Sequence, residues 1–222
     1  NKAEQVRKGW SSTSDRDVAR RRWFLVDLDP KSPSNVSATE EEVELARAKA
    51  GEVRDWLTAA GWPEPVEAAS GNGWHLLYRV DLPNGDDELR LFEGALAALD
   101  ARFSDDRVDV DTTVGNASRI WKAYGSVSRK GDDCPELGRV YRLARMTHVP
   151  ERLEVAPRAL LEDLAEAAEP EQVGVGRRPA SRHQAAQGLA DDGGRWLAEW
   201  VERVGLPVGD PRNYQGGPQW VL

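Results

Sequence analysis

The stretch Arg22-Trp23-Phe24-Leu25-Val26-Asp27-Leu28-Asp29-Pro30 decides how the chain is read. An apolar run with aromatic and β-branched side chains, ending at a proline, predicts a buried strand. Alternation along such a strand puts Asp27 and Asp29 on one face and Phe24, Val26 and Leu28 on the other. Two carboxylates at i and i+2 repel, and holding both beside an apolar core is unfavourable unless a cation neutralises them. A hard divalent ion, Mg²⁺ or Mn²⁺, takes oxygen ligands of this kind. The plainer alternative is a strand end at which the aspartates cap the following turn.

Working outward, Thr39-Glu40-Glu41-Glu42 has the form of a capping box. Apolar residues at Val43, Ala46, Ala50, Val53, Leu57 and Ala60 then give a helix that Gly61 ends. A strand is expected over 66–70 and a stronger one over 74–80, with a glycine turn between them. Asn84-Gly85-Asp86 opens a second amphipathic helix carrying Leu89, Phe92, Leu96, Leu99 and Phe103. Further strands are expected over 108–111, 119–124 and 139–143, and a short helix over 160–168. These elements predict an α+β domain over 1–168. Residues 169–183 read as a linker of Gly, Pro, Arg and Val without period. Residues 184–222, with a helix expected at 195–204, read as the start of an accessory domain. The opening at Asn1 and the abrupt ending at Leu222 suggest a piece of a longer protein.

Composition sets outer bounds. The chain has 222 residues, is 40% hydrophobic and 31% charged, and carries a formal net charge of −8. No apolar run approaches the roughly 20 residues a membrane helix needs, and no signal peptide is apparent, so a cytoplasmic address is expected. One cysteine, Cys134, excludes an internal disulfide and a cysteine-rich zinc site. The net acidity hides a local reversal. Arg119, Lys122, Arg129, Lys130, Arg139, Arg142 and Arg145 face only Asp132, Asp133 and Glu136, so residues 119–145 carry a net +4. A basic surface of that kind suits a polyanion even on an acidic protein.

Two further motifs carry chemistry. Val108-Asp109-Val110-Asp111 repeats the alternating acidic pattern, and three carboxylates from two neighbouring strands suit a two-metal phosphoryl-transfer centre. Spacing alone leaves open whether Asp109 or Asp111 joins the set. Ser70-Gly71-Asn72-Gly73-Trp74-His75 lies between two expected strands. Its glycines allow backbone amides to approach an anion, and Ser70 and His75 can add side-chain donors. A dinucleotide-binding fingerprint is excluded because a strand, rather than a helix, follows the glycines. A tight hairpin with an incidental histidine is the plainer reading.

Taken together, these motifs resemble the archaeo-eukaryotic primase superfamily, in particular the primase-polymerase domains of phage, plasmid and helicase-linked replication proteins. The family's hDhD text stands here as Leu25-Val26-Asp27-Leu28-Asp29, its SxH-like text as Ser70 to His75, and its later hD as Val110-Asp111. Behind these come Asn116-Ala117-Ser118-Arg119-Ile120-Trp121-Lys122, then Gly125-Ser126, then Lys130-Gly131-Asp132, similar to the family's arginine–lysine region. The match runs in order over about residues 12–145. It departs at Gly73, where some relatives place serine, and at Ser126, where threonine is usual. No zinc-binding cysteine set is present.

The resemblance implies an RRM-like antiparallel sheet flanked by helices, with a short helical segment C-terminal to it. It selects Asp111 with Asp27 and Asp29 as the catalytic, metal-binding set for two Mg²⁺ or Mn²⁺ ions. It assigns Ser70, Gly71, Gly73, His75, Arg119, Lys122 and Lys130 to the incoming nucleotide. The implied partners are single-stranded DNA template and primer, an NTP or dNTP, and a helicase domain or protein, with no membrane. Trp74 or Trp121 would stack on template bases. Two other readings compete. A rolling-circle initiator needs paired histidines and a nucleophilic tyrosine, whereas His75 is followed by Leu76 and Leu77, and Tyr78 lies in a strand. A non-catalytic nucleic-acid-binding module of a helicase would gain nothing from carboxylates close to phosphates.

Overall fold

The chain is described from a computed structural model covering residues 13–167 and two short strands near the C-terminus. It divides into two compact units, residues 1–171 and 172–222. In the second, Arg212–Tyr214 and Gly217–Gln219 pair antiparallel as a hairpin. The helix expected at 195–204 lies outside the described residues.

In the first unit β1 (Arg20–Pro30) begins the sheet and α1 (Glu40–Ala59) follows it. The strands β2 (Val66–Ala69) and β3 (Trp74–Pro83) flank the glycine turn, and α2 (Asp86–Phe103) leads into β4 (Val108–Val110). Three short strands, β5 (Val127–Ser128), β6 (Arg142–Leu143) and β7 (Arg145–His148), precede α3 (Arg158–Glu166). Five of these strands form an antiparallel sheet in the order β4-β1-β3-β2-β7, and β5 pairs with β6 in a separate ribbon. The architecture is mixed α+β.

Local sequence explains most of the boundaries. The capping box at α1 is formed: Glu42 N–H donates to Thr39 Oγ1 at 3.2 Å and Thr39 N–H donates to Glu42 Oε2 at 2.8 Å. Gly61 stops α1 in the left-handed region, with φ 86°. Helices α1 and α2 cover the face of β1 that carries Phe24, Val26 and Leu28, all at 0% exposure. Phe24 meets Phe92 of α2 edge-on at 5.2 Å between ring centroids and Trp62 at 5.7 Å. Trp56 and Phe103 join the two helices in the same way. The opposite face carries Asp27, Asp29 and His75 beside the buried Leu25 and Leu77.

Two expectations are corrected. Residues 119–124 form no strand, because no neighbouring backbone is in place to pair with them; the segment has no regular structure and leads to a turn at Gly125. The strand expected at 139–143 shrinks to β6, since Arg139 and Arg142 are drawn instead to the α1 end. Arg139 makes a bidentate contact with Glu42 at 2.8 Å through each nitrogen and donates to Ser37 O at 2.8 Å. Arg142 donates to Ala38 O. Gly131 packs so tightly on the 31–38 loop that a Cβ there would lie 1.5 Å from Asn35 O. The basic segment is thus stitched to the loop that follows β1.

Among the described residues, no helix is long and apolar enough to cross a membrane. Removing the Phe24 ring should lower stability by about 3–5 kcal/mol, the usual loss for a buried aromatic truncated to alanine. Denaturant unfolding of Phe24→Ala checks this, and a loss below about 1 kcal/mol would mean that the sheet and α2 do not meet there.

Candidate metal and anion site

The pairing of β1 with β3 sets Asp27 opposite His75 and Leu28 opposite Trp74. On the other side, β4 pairs with β1 so that Asp29 faces Asp109, and Asp111 N–H donates to Asp27 O at 2.8 Å. Asp27, Asp29, Asp109, Asp111 and His75 therefore gather on the sheet face away from the helices.

Three of the four carboxylates converge. Oxygens of Asp27, Asp29 and Asp111 all lie within 4.8 Å of one another. Asp109 does not join them; its carboxylate is held by Lys31 Nζ at 3.1 Å. Asp111 is oriented by capping a 3-10 turn, its Oδ1 accepting from Thr113 N–H at 2.8 Å. By position, Asp111 and not Asp109 stands with Asp27 and Asp29.

The electrostatics fit a cation. Burial, reinforced by the neighbouring Asp27 charge, pushes the Asp29 carboxyl up to about 6, against the opposing pull of Lys130. Asp27 Oδ1 is buried and has no hydrogen-bond partner. His75 Nε2 lies 3.2 Å from it without hydrogen-bond alignment. An orphaned buried carboxylate oxygen beside two further carboxylates is the donor set expected for a hard divalent ion. Asp27, Asp29 and Asp111 can hold a metal ion.

A cleft of about 490 Å³ opens over this end of the sheet. Asp27, Asp29 and Asp111 line it together with Ser70, Asn72, His75 and residues 119–122 and 128–130. Arg119, Lys122 and Lys130, all singled out from sequence, border it together with Arg129. Arg119 is also structural: its Nη2 donates to both O and Oγ1 of Thr113 at 2.5 Å, bracing the turn that Asp111 caps. Its Nε is buried and without a partner.

The glycine turn has a different emphasis from the one its sequence suggests. Ser70 Oγ accepts from Gly73 N–H at 2.9 Å, closing the turn on itself. A Cβ on Gly73 would lie 2.3 Å from Leu28 O, and one on Gly71, where φ is 95°, would lie 2.5 Å from Ser128 Cβ. Both glycines serve close packing, Gly73 against β1 and Gly71 against β5, while Ser70 and His75 border the cleft.

Three site residues escaped the sequence reading. Asn72 accepts from Ala38 N–H at 2.9 Å and donates to Ser128 Oγ at 2.9 Å; Lys122 Nζ donates to the same hydroxyl at 3.1 Å. Tyr124 OH lies 2.7 Å from His75 Nδ1. Asn72 sits inside the noted turn, but nothing local marks Tyr124 or Ser128. Trp74 is corrected as a base-stacking platform: it is buried on the helix side, 5.8 Å beneath Arg47. Trp121, 36% exposed, lies at the cleft.

No protein-family model, curated protein or solved structure matches the chain.

Divalent metal should stabilise the protein, and pH should tune the effect. In its folded setting Asp29 prefers its proton, with a pKa raised from 3.8 to about 6. Metal-free protein therefore loses stability as pH rises through about 6 and the carboxylate must charge beside Asp27. Added Mg²⁺ should raise the melting temperature at neutral pH and do so less as pH falls below about 6, where the proton competes. Asp29→Asn should remove both dependences. A melting temperature indifferent to Mg²⁺ across this range would overturn the metal assignment.

Proposed function

We propose that the chain is a template-directed nucleotidyltransferase, the primase-polymerase domain of a replication protein, built on the primase-polymerase version of the α+β fold. The observation that carries this reading is the convergence of Asp27, Asp29 and Asp111 within 4.8 Å, in one cleft that Arg119, Lys122, Arg129 and Lys130 also line. Carboxylates and fixed cations lining one cleft are what a metal-bound triphosphate requires. The cleft volume falls inside the range of about 300–1,000 Å³ typical of small-molecule sites.

In this reading the carboxylates hold Mg²⁺ or Mn²⁺. The bound metal supplies Lewis-acid stabilisation of charge on the attacking and leaving oxygens. A primer 3′-oxygen, its proton lost to solvent, bonds to the α-phosphorus of an NTP or dNTP, and the bond from that phosphorus to the pyrophosphate oxygen breaks. Lys122 and Lys130 offset the charge that builds on the departing pyrophosphate, as fixed cations near a phosphoryl centre do. His75 donates to a phosphate oxygen, and Ser70 and the glycines shape the turn that carries it. Single-stranded DNA, template and primer, crosses the sheet face, where Trp121 and the exposed Ile120 offer apolar surface to bases. A helicase domain or protein would supply the unwound template.

The rolling-circle alternative finds less support. Tyr78 is in the core at 1% exposure, and burial holds its phenol far above the ordinary tyrosine range. Tyr124 is raised as well, by burial and then by the Asp27 charge, a poor setting for a nucleophilic phenolate.

Extension of a primed single-stranded template with Mn²⁺ tests the proposal. Asp27→Ala should reduce incorporation by at least about 10³-fold, since loss of a metal ligand removes transition-state stabilisation of several kcal/mol. Full extension by the variant would refute it.

A further inference from the structure

β4 pairs with β1 only over Leu28–Pro30, so the edge of β1 over residues 20–26 has no strand beside it on that side among the described residues. A cavity of about 180 Å³ opens there, separate from the acid cleft. Arg20, Arg21, Arg22, Trp23 and Trp121 line it, and no carboxylate does. Strict alternation would send three successive side chains to opposite faces of a sheet. A register irregularity between Arg21 and Trp23 interrupts that alternation, and all three arginines border the one cavity.

The charge there is under-compensated. Arg21 is 6% exposed; it donates to Gly115 O at 2.6 Å and to Asn84 Oδ1 at 3.2 Å, and its Cζ lies 4.6 Å from the centre of the Phe92 ring. No salt bridge answers it among the described residues, and Asp15, Glu88 and Glu93 act on it from a distance. Asp15 is itself engaged by Ser118 N–H at 2.6 Å and by Asn116 Nδ2 at 3.2 Å. A guanidinium keeps its charge, and a buried one without a paired anion is costly. Arg20 and Arg22 both reach one oxygen, Asp81 Oδ1, at 2.9 and 3.1 Å. One carboxylate offsets only one of those two charges, so the cavity keeps a positive surplus that an anion would answer.

The cavity is small and close to the acids. Its volume is that of about six waters in the liquid, below the roughly 300 Å³ at which pockets for whole small molecules begin. It has room for a phosphate group whose remaining ligand lies outside, as in a polymer. Trp121 and Val114 line both this cavity and the acid cleft. Trp23 and Asp27 share a face of β1, opposite Arg79 and His75 of β3, and four residues of strand separate them by about 13 Å. At roughly 3.4 Å per stacked nucleotide, that span is at most about four nucleotides. We propose that the arginine cavity holds one backbone phosphate of single-stranded DNA, at most about four nucleotides from the acid cluster, with Trp23 and Trp121 stacking on neighbouring bases. The inference rests on the polymerase reading for why the strand is there, but its binding needs no turnover.

Fluorescence anisotropy of a labelled oligo(dT) of about twelve nucleotides, within the range of single-strand sites, tests it on the full chain in EDTA without nucleotide. The double variant Arg20→Gln/Arg22→Gln should raise Kd about tenfold and lower the slope of log Kd against log salt by about 0.7, the share of one single-strand phosphate. Exposed ion pairs contribute little stability, so its melting temperature should stay within about 2 °C of the wild type. Trp23→Leu should raise Kd at least about fivefold through lost stacking and leave the salt slope unchanged, a split that a loosened fold would not produce. No binding by the wild type, or unchanged affinity and slope in the arginine variant, overturns the proposal. So does dTMP that displaces the oligonucleotide at equal concentration in an arginine-dependent way, since the cavity would then serve a free nucleotide. Arginine-dependent DNA binding without incorporation by the wild type would sink the polymerase reading and leave the phosphate subsite standing. Primer extension with unaltered DNA affinity in the arginine variant would do the reverse.

Discussion

The antiparallel register between β1 and β3 is the constraint from which the site follows. It matches Asp27 with His75 and Leu28 with Trp74. Because side chains alternate, a slip of one residue would turn Phe24, Val26 and Leu28 out of the core and drive Asp27 and Asp29 into it. The core enforces the register through Phe24, wedged between Trp62 and Phe92. Gly73 enforces it a second time, since only a residue without a side chain can lie over Leu28 O. Packing on one face of the sheet thereby fixes chemistry on the other.

Holding the acids together works against folding. Asp29 carries this most plainly, its carboxyl raised by burial and by Asp27. Asp27 Oδ1 is buried without a partner, and a group of that kind lowers stability unless something binds it. The protein relieves part of the tension locally: Lys31 neutralises Asp109, and Thr113 N–H satisfies one oxygen of Asp111. Nothing comparable serves Asp27 Oδ1. A buried carboxylate oxygen without a hydrogen bond, set beside two further carboxylates, is a physical mark of a binding site.

Much of this was legible beforehand, and the misses have a common cause. Local rules sufficed for α1, whose capping box and glycine stop lie within a few residues of each other, and for β1, whose two faces are written in its alternation. The acid cluster was legible because β1 and β4 each carry their aspartates in a repeating pattern. Asn72, Ser128 and Tyr124 were not, because each acts through a partner far away in the chain: 56 residues separate Asn72 from Ser128, and 49 separate Tyr124 from His75. Trp74 misled for a related reason. It adjoins His75 in sequence, and adjacency in a strand means opposite faces.

The misreading of residues 119–124 as a strand bears most directly on how the cleft works. A strand would send alternate side chains away from the site, leaving at most Arg119 and Trp121, or Ile120 and Lys122, to face it. Arg119, Ile120, Trp121 and Lys122 all border the cleft, which only an unpaired backbone permits. Such a segment needs holding by other means. Arg119 is tied to Thr113, Lys122 to Ser128, and the turn at Gly125 to Ala144. Two of these ties run to elements that also position the acids or their neighbours: Thr113 to the Asp111 cap, Ser128 to Asn72 of the glycine turn. Arg119 and Lys122 are therefore joined by hydrogen bonds to the elements that carry Asp111 and the glycine turn. The cationic side chains are held by side-chain contacts rather than by a sheet ladder, and a ligand that meets both the acids and these cations would tighten the same contacts that place them.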